Sequence, residues 1–275
     1  MSLETAAERT GLPATFIDWE PPEPPTDLIF DDGEPLESNR HRIAMNVLID
    51  SVLVAYEGRT NYFVGGNMFV YYSRQQAMNR DFRGPDFFAV LDVEDTERDR
   101  QGWVVWEEDG RYPNVIVELM SPSTAKTDKT IKKDLYERTF KTQAYYIYDP
   151  FDPESLQGWS LDASLRYQPI QPNEQGRLWC EPLGLWLGNW EGCIRREPIN
   201  GVCHWLRFYD GAGQLVLLQD EIAQSARQEA QIALQEAQAA QQEAQTAQQE
   251  TQVVQDKVER LAVRLRALGE DPEAI

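Results

Sequence analysis

The chain has 275 residues, a formal net charge of −20 and 41% hydrophobic residues. This length allows one or two domains, and the apolar content is sufficient for a substantial core. The acidic average argues against a broad surface that follows nucleic-acid phosphates, but it allows a small basic area around one site. The three cysteines have no C-x-x-C spacing and no apolar run reaches membrane-spanning length, so we expect a soluble, cytoplasmic protein with reduced thiols.

The N-terminal region, residues 1–36, combines paired prolines with many acidic residues, as in DWEPPEPPTDLIFDDGEP. Proline lacks the backbone donor that helices and sheets need, so we predict an extended or irregular arm. A helix is predicted next, because Ser38 or Asn39 can cap it and apolar residues recur at helical spacing as far as Gly58.

The domain predicted over residues 37–220 is rich in strand signals. NYFVGGNMFVYYS, DFFAVLDV, PNVIVELM and AYYIYDP contain many aromatic and β-branched residues, whereas TDKTIKKDLYERTF predicts a short helix between the last two. GWVVWEEDGRYPNVIVELM is expected to form a hairpin that turns at residues 108–110. Glycine and proline recur at regular intervals between short strand-like segments in residues 156–218, which predicts a β-rich extension of the same domain.

The C-terminal region, residues 221–275, repeats every seven residues, as in QEAQIAL QEAQAAQ QEAQTAQ. Small or apolar residues recur at alternating intervals of four and three, which is the pattern of a coiled coil. We predict a heptad coiled coil that pairs two subunits as a homodimer; the alternative is a single solvated helix, which the composition also favours. The two seams consist of Ala226, Ala233, Ala240, Ala247, Val254, Leu261 and Leu268, and of Ala230, Ala237, Ala244, Thr251, Val258 and Leu265.

Three acidic residues stand where their surroundings make a carboxylate unexpected. Glu118 lies in VIVELM, a strand that is otherwise apolar on both faces, and an ionised carboxylate there is costly unless it is paired or bound to a cation. Asp86 directly precedes the strand DFFAVLDV, and Glu37 lies at the entrance to the first helix. The alternatives are a structural ion pair for Glu118 and a turn or capping role for Asp86 and Glu37.

The helix that follows Glu118 supplies candidate lysines. If Ile131 and Leu135 form its buried stripe, Lys132 lies about 60° from Leu135 and about 100° from Ile131, at the border of the stripe. Lys133 lies nearly opposite the stripe and is expected to point to solvent. Lys132 is therefore the lysine that we expect to reach a cleft beside the carboxylates.

Two or three carboxylates with one lysine suit the hydrolysis of a phosphodiester. The carboxylates hold one or two Mg²⁺ (or Mn²⁺) ions, which lower the pKa of a bound water and offset the charge of the reacting phosphate. The lysine orients that water or stabilises the developing oxyanion. The lysine-rich stretch 126–141 would attract the phosphates of DNA locally.

Pro85-Asp86, followed by Glu118 on an apolar strand, resembles the PD-(D/E)xK nuclease superfamily. More narrowly, GPDFFAVL, PNVIVELMSPST, D..IKKDLY and YYIYDP resemble the bacterial Uma-two family of endonucleases, from about residue 37 to beyond residue 150. The resemblance implies an α/β, restriction-endonuclease-like fold with a mixed central sheet flanked by helices. In this chain the β-rich extension and the C-terminal coiled-coil helix would be added to it.

The resemblance also implies roles for particular residues. Asp86 and Glu118 would be the metal ligands, Lys132 would complete the catalytic set, and Glu37 would be an accessory acid. Two further accessory candidates follow Glu118: Ser121 can bind phosphate or cap the next helix, and Tyr136 can line the site or pack.

Two positions depart from the pattern of these families. Met120 occupies the place of the lysine in E-x-K, so the lysine is taken to have moved to Lys132 on the following helix. Ala144 stands where relatives usually carry a glutamate before the aromatic strand. The departure at Ala144 affects a contact around the site rather than a metal ligand.

The sequence thus predicts a metal-dependent endonuclease that hydrolyses DNA and forms a homodimer through its tail. The alternative is a nuclease-fold protein with weak or no activity that acts as an oligomerising interaction or regulatory module, and Met120 and Ala144 favour it. A third reading is a β protein that binds carbohydrate or nucleotide through tryptophans, namely Trp159, Trp179, Trp186 and Trp190.

Overall fold

The computed structural model describes residues 25–28, 38–79, 81, 83–94 and 98–268. Most of the predicted N-terminal arm, together with Glu37, lies outside the described residues. The first helix, α1 (Asn39–Ala55), begins after Ser38, whose side chain accepts a hydrogen bond from the backbone N–H of His41. The predicted N-cap is therefore confirmed, and Gly58 follows the helix with a φ of 81°.

Eleven strands, three further helical segments and one short 3-10 helix (Val105–Glu107) follow in the described part of the chain. The strands are β1 (Tyr62–Gly65), β2 (Val70–Tyr71), β3 (Phe87–Leu91), β4 (Trp103–Val104), β5 (Val115–Leu119), β6 (Ala144–Asp149), β7 (Asp152–Leu161), β8 (Tyr167–Pro169), β9 (Leu178–Cys180), β10 (Leu185–Gly192) and β11 (Cys203–Tyr209). The helical segments are α2 (Arg74–Met78), α3 over residues 125–140, and α4 (Gln219–Ala267).

The central sheet has six strands in the order β1-β3-β5-β6-β7-β8. The pair β5 and β6 is parallel, and the other neighbouring strands are antiparallel, so the sheet is mixed. A second sheet, β11-β10-β9, corresponds to the predicted β-rich extension. These sheets, the flanking helices and the long final helix confirm the predicted fold class.

The predicted hairpin before Glu118 is wrong. Its first half, β4, pairs in parallel with β2 in a separate two-stranded sheet, whereas β5 pairs with β3 and β6 in the central sheet. A turn does form near the expected place, since Asp109 and Gly110 both have positive φ angles. The turn residues were read correctly, but the partners of the flanking strands depend on contacts that are distant in sequence.

Alternate residues of the central strands serve two separate cores, because successive side chains in a strand point to opposite faces. Phe87 and Val117 face a core that includes α1 and residues of the second sheet. Phe88 and Ile116 face the other core, to which α3 contributes Tyr136. The central sheet is consequently covered on both faces, and the face that α3 covers is the one that carries the acidic residues described below.

The long helix α4 has 49 residues and contains no buried residue. Its first turn is tied to the second sheet, because the buried Arg207 donates hydrogen bonds of 3.1 and 2.8 Å to the two carboxylate oxygens of Glu221. Helical structure of the heptad region is thus confirmed, while its pairing stays a prediction. Among the described residues, no helix is both long and apolar enough to cross a bilayer.

Candidate functional site

Two of the predicted acidic residues meet across β3 and β5. In this antiparallel pair Phe87 lies opposite Val117, so one further step places Asp86 opposite Glu118. Both side chains belong to the sheet face that α3 covers. The backbone N–H of Leu119 donates a hydrogen bond of 2.8 Å to Oδ2 of Asp86, which ties this carboxylate to β5.

Lys132 completes the predicted set. Its Nζ lies 2.9 Å from Oε2 of Glu118, and Glu118 is fully buried whereas the lysine side chain is 21% exposed. The three predicted residues Asp86, Glu118 and Lys132 therefore converge at one place. Asp86 and Lys132 are partly exposed whereas Glu118 is fully buried, so the cluster reaches solvent at Asp86 and Lys132.

Lys132 does contact Glu118, as the helical wheel predicts, but the premise behind that prediction is wrong. Ile131 is 60% exposed instead of buried, and Lys133 is half-buried, with its Nζ 3.9 Å from the centre of the Trp159 ring, instead of pointing to solvent. The wheel assumes 3.6 residues per turn, whereas the segments Asp128–Lys132 and Tyr136–Phe140 form wider π turns. These turns change the angular spacing along α3.

Asp128 is a site residue that the sequence reasoning missed. It is 1% exposed, and its Oδ1 lies 2.9 Å from Nζ of Lys132, the same distance as Oε2 of Glu118. The hydroxyl of Tyr145 donates to the backbone carbonyl of Asp128 and fixes this turn against β6. An available signal was the spacing of four residues between Asp128 and Lys132, at which helical side chains are neighbours.

Tyr136 and Ser121, the accessory candidates, have different positions. Tyr136 is fully buried, and its hydroxyl donates a hydrogen bond of 2.7 Å to Oε1 of Glu118. Ser121 lies in the turn that leads into α3, where its Oγ accepts from the backbone N–H groups of Ser123 and Thr124. The structure thus brings Tyr136 to the carboxylate cluster, and it gives Ser121 a role in shaping the turn.

The electrostatics of the cluster follow from burying several charges together. Burial raises the pKa of Glu118 to about 8; attraction to Lys132 opposes the rise and repulsion from Asp86 and Asp128 adds to it. Burial also raises the pKa of Asp86 to about 6, against the effects of Lys132 and of the Leu119 N–H. Burial alone would lower the pKa of Lys132, but the three carboxylates outweigh it and the pKa is raised above 10.5. Lys132 is therefore a fixed positive charge near neutral pH.

The donor set suits a hard divalent cation that keeps most of its own water. Oε2 of Glu118 and Oδ1 of Asp128 are buried and near Nζ of Lys132, but neither makes a hydrogen bond of good direction, so both contacts are ion pairs by distance only. In the described part of the chain no three His, Cys, Asp or Glu side chains form a metal-binding group. Mg²⁺ commonly binds through one or two carboxylates plus waters, and Asp86 with Glu118 meets that requirement.

Two positions singled out in the sequence, Glu37 and Ala144, are not part of the cluster that the described residues form. Glu37 lies outside the described residues. Ala144, where the family resemblance leads us to expect glutamate, is buried at the start of β6, three residues before Ile147, which pairs with Glu118. Its methyl group belongs to the core that contains α1, on the opposite face of the sheet from Glu118.

The chain belongs to the Uma2 family, whose description is "Putative restriction endonuclease"; the family model matches residues 13–190, well over half of the chain. No curated protein matches it significantly. Among solved structures it is similar to a protein from Anabaena variabilis ATCC 29413 described as a putative nuclease belonging to DUF820. That similarity has 12% identity and a TM-score of 0.39, and covers 58% of this chain and 86% of the other. Membership of the Uma2 family supports nuclease activity as the general class of function.

Two cavities lie elsewhere on the described surface. One of about 550 Å³ is lined by residues of β7 and β10 and includes Trp159, and one of about 640 Å³ includes Trp179. Neither contains a member of the carboxylate cluster.

Proposed function

We propose that the protein is a metal-dependent endonuclease that hydrolyses the phosphodiester bonds of DNA, with Asp86, Glu118 and Lys132 as the catalytic set. The observation that carries the proposal is the convergence of these three residues, which are far apart in sequence, at one partly open place. The charge of the cluster is also unusual for a structural ion pair, because several carboxylates share one lysine.

Each residue has a definite task in this proposal. Asp86 and Glu118 hold Mg²⁺ or Mn²⁺, which when bound supplies a nucleophilic water and offsets phosphate charge. Lys132 keeps its proton and places a positive charge at the opening, where it attracts the scissile phosphate and stabilises the developing oxyanion. Tyr136 holds one oxygen of Glu118 by a hydrogen bond and so orients the other oxygen toward Lys132.

Asp128 is the positioning residue of the set in this proposal. A lysine side chain has many rotamers, and two carboxylates at 2.9 Å on separate elements restrict Nζ to one place. Lys126 and Lys129 are exposed on the same helix as Lys132. This local basic area compensates for the acidic average of the chain.

The test is cleavage of supercoiled plasmid by purified protein with Mg²⁺ or Mn²⁺. Asp86→Asn, Glu118→Gln and Lys132→Met are each expected to reduce the rate by roughly 100-fold or more, since each removes a metal ligand or the charge at the phosphate. Glu154→Gln changes an exposed acid on β7 and serves as the matched control. Equal rates for the three variants and the parent chain would refute the proposal.

Metal binding can be measured separately from cleavage. Because the pKa of Glu118 is about 8, part of the population carries a proton near neutral pH, and binding of Mn²⁺ is expected to release it. Calorimetry in two buffers of different ionisation enthalpy detects this release, and Glu118→Gln should abolish it. Absence of both cleavage and metal binding would support the alternative, an inactive nuclease-fold protein that acts as an interaction or regulatory module.

The domain division and the assembly are parts of the same proposal. We place the nuclease-like domain at residues 37–220, preceded by the acidic arm 1–36 and followed by the heptad helix 221–275. The helix is proposed to join two copies of the chain. The family match begins at residue 13, so it includes part of the arm.

A further inference from the structure

The face formed by the two heptad seams of α4 is apolar and uncovered in the described part of the chain. Val254, Val258 and Leu261 are each about 60% exposed, and Leu268 just after the helix is 74% exposed. An apolar stripe of this length on a soluble helix typically marks a contact with another helix. The helix is continuous through its middle, so it does not fold back on itself.

The sizes of the seam residues are distributed unevenly along the helix. The first half carries alanine at every seam position, and the second half carries valine and leucine from Val254 onward. In a parallel pair each residue meets its own copy, so alanine layers and leucine layers would require different distances between the helix axes. In an antiparallel pair the two halves face each other, and each layer can combine one small and one large residue.

One antiparallel register places every valine and leucine of the seams opposite an alanine of the other copy. Layers form where the two residue numbers add to a constant value, because one chain runs against the other. The apolar layers of this register are Ala223 with Leu268, Ala226 with Leu265, Ala230 with Leu261, Ala233 with Val258, and Ala237 with Val254. The interaxial distance is then similar in all these layers, and only the central layers, Ala240 with Thr251 and Ala244 with Ala247, lack a valine or leucine. Moving the register by one heptad shortens the contact by two layers, because each heptad contributes one residue to each seam.

The charged residues beside the second seam are also distributed unevenly along the helix. The positions that directly precede the second seam are Glu229, Glu236, Glu243, Glu250, Lys257 and Arg264. In a parallel pair they would face uncharged residues such as Leu234, Gln241 and Gln248. In the antiparallel register Glu229 meets Arg264 and Glu236 meets Lys257, so two of the three kinds of pair have opposite charges. Glu243 with Glu250 is the unfavourable kind.

We propose that α4 binds a second copy of this chain in antiparallel orientation, through complementary seams and complementary flanking charges. With a rise of 1.5 Å per residue, the first residues of the two helices are then about 80 Å apart, on the order of 24 base pairs of duplex. Since Arg207 and Glu221 tie each helix start to its own domain, the two domains lie toward opposite ends of the rod. If the proposed nuclease function holds, the two sites act at separate places on DNA rather than together on one duplex position.

Distance measurement with spin labels distinguishes the two orientations. The label is attached at Gln228→Cys or, separately, at Gln245→Cys in the full chain carrying Cys193→Ser and Cys203→Ser; Cys180 is buried. The antiparallel pair predicts about 50 Å between the two labels at position 228 and roughly 20 Å at position 245. A parallel pair predicts a short distance at both positions, and that result would overturn the proposal, as would a monomeric chain.

Charge exchange provides a second readout. Lys257→Glu with Arg264→Glu makes all flanking positions acidic, so the antiparallel dimer should be lost in sedimentation. Adding Glu229→Lys and Glu236→Lys to the same chain restores opposite charges and should restore the dimer. Unchanged dimers in both variants would contradict the antiparallel contact. Neither measurement depends on cleavage, so failure of the nuclease proposal and failure of this one are separate outcomes.

Discussion

At the scale of single residues, the site keeps an ionisable carboxyl group where an apolar side chain would be more stable. Glu118 is fully buried, and burial raises the pKa of its carboxyl group to about 8. The interactions that retain it are a hydrogen bond from Tyr136 and an ion pair with Lys132. A buried group that disfavours its own charge is common at functional sites, where stability is exchanged for reactivity.

Removal of the Tyr136 hydroxyl tests whether this hydrogen bond orients Glu118. Tyr136→Phe leaves one oxygen of Glu118 without its donor, so we expect cleavage to fall by roughly tenfold, equivalent to about 1.4 kcal/mol. Tyr56→Phe is the matched control, since Tyr56 donates to the carbonyl of Leu183 and does not contact the cluster. A plasmid assay with thermal melts of both variants gives the comparison. Equal losses of activity in the two variants would show that the effect is only structural.

Gly66 provides a test of the position of Asp86. A Cβ at residue 66 would lie 2.5 Å from the backbone oxygen of Asp86 and 2.7 Å from Cγ of Met45, so Gly66→Ala must displace one of them. We expect weaker Mn²⁺ binding in calorimetry, because Asp86, the proposed metal ligand next to this contact, moves. Gly211→Ala is the control, as its Cβ would meet no atom within 4 Å. Parent-like metal binding by the Gly66 variant would argue against Asp86 as a ligand.

At the scale of elements, α3 connects the central sheet to the carboxylate cluster, and the start of α4 connects the second sheet to the heptad helix. The π turns of α3 place Asp128 and Lys132 over the central sheet. The start of α4 is held by Arg207, which is completely buried and also donates to the carbonyl of Val216. The buried cation needs Glu221, since an unpaired buried charge costs several kcal/mol.

The ion pair between Arg207 and Glu221 predicts a particular dependence of stability on pH. Burial raises the pKa of Glu221, but hydrogen bonds from Arg207 and from the Leu218 N–H outweigh it, and the pKa is lowered below its ordinary value of 4.5. The folded state therefore binds this proton less readily than the unfolded state. Its contribution to stability is complete above about pH 4.5 and is lost as the pH falls through the lowered pKa.

Glu221→Gln isolates this contribution from those of the other acids. The melting temperature of this variant should lie below that of the parent chain by a constant amount between pH 5 and pH 7, equivalent to roughly 2 kcal/mol in unfolding free energy. The two melting temperatures should converge toward pH 3, where Glu221 of the parent chain becomes protonated. Thermal melts across this range provide the measurement, with Asp134→Asn on α3 as an exposed control. A gap that stays constant down to pH 3 would contradict the assignment.

At the scale of the whole molecule, the chain combines a two-faced sheet with a helix of 49 residues that projects from it. The first core involves α1, the central sheet and the second sheet, so the β-rich extension shares its interior with the domain that carries the site. The helix α4 adds no buried residue. The stability of the domain that carries the site and the association through α4 should therefore be separable.

Truncation tests this separation. Deletion of residues 226–275 keeps Glu221 with Arg207 and removes both seams, so we expect a monomer in sedimentation with a nearly unchanged melting temperature. Deletion of 221–275 would also expose the buried charge of Arg207, and it should lower the melting temperature as well. A truncated chain that keeps the mass of the parent in solution would refute the role of the helix in pairing.

The amino-acid sequence by itself determined the features that depend on neighbouring residues. The Ser38 cap, the apolar strands, the continuous heptad helix and the family-like motifs around Asp86 and Glu118 were all readable, because capping, periodicity and motif spacing are local properties. The choice of Lys132 also came from the sequence, although its premise about Ile131 was wrong. Glu37 stays a prediction, since it lies outside the described residues.

Only the tertiary structure decided which distant elements meet. It placed Asp86 opposite Glu118, separated β4 from β5, and brought Asp128 to Lys132 within a π turn. Strand partners and buried ion pairs depend on contacts between residues far apart in sequence, and local propensity does not encode which of several similar partners is chosen. The charge on Glu118 is explained in the same way, because its partner comes from another element.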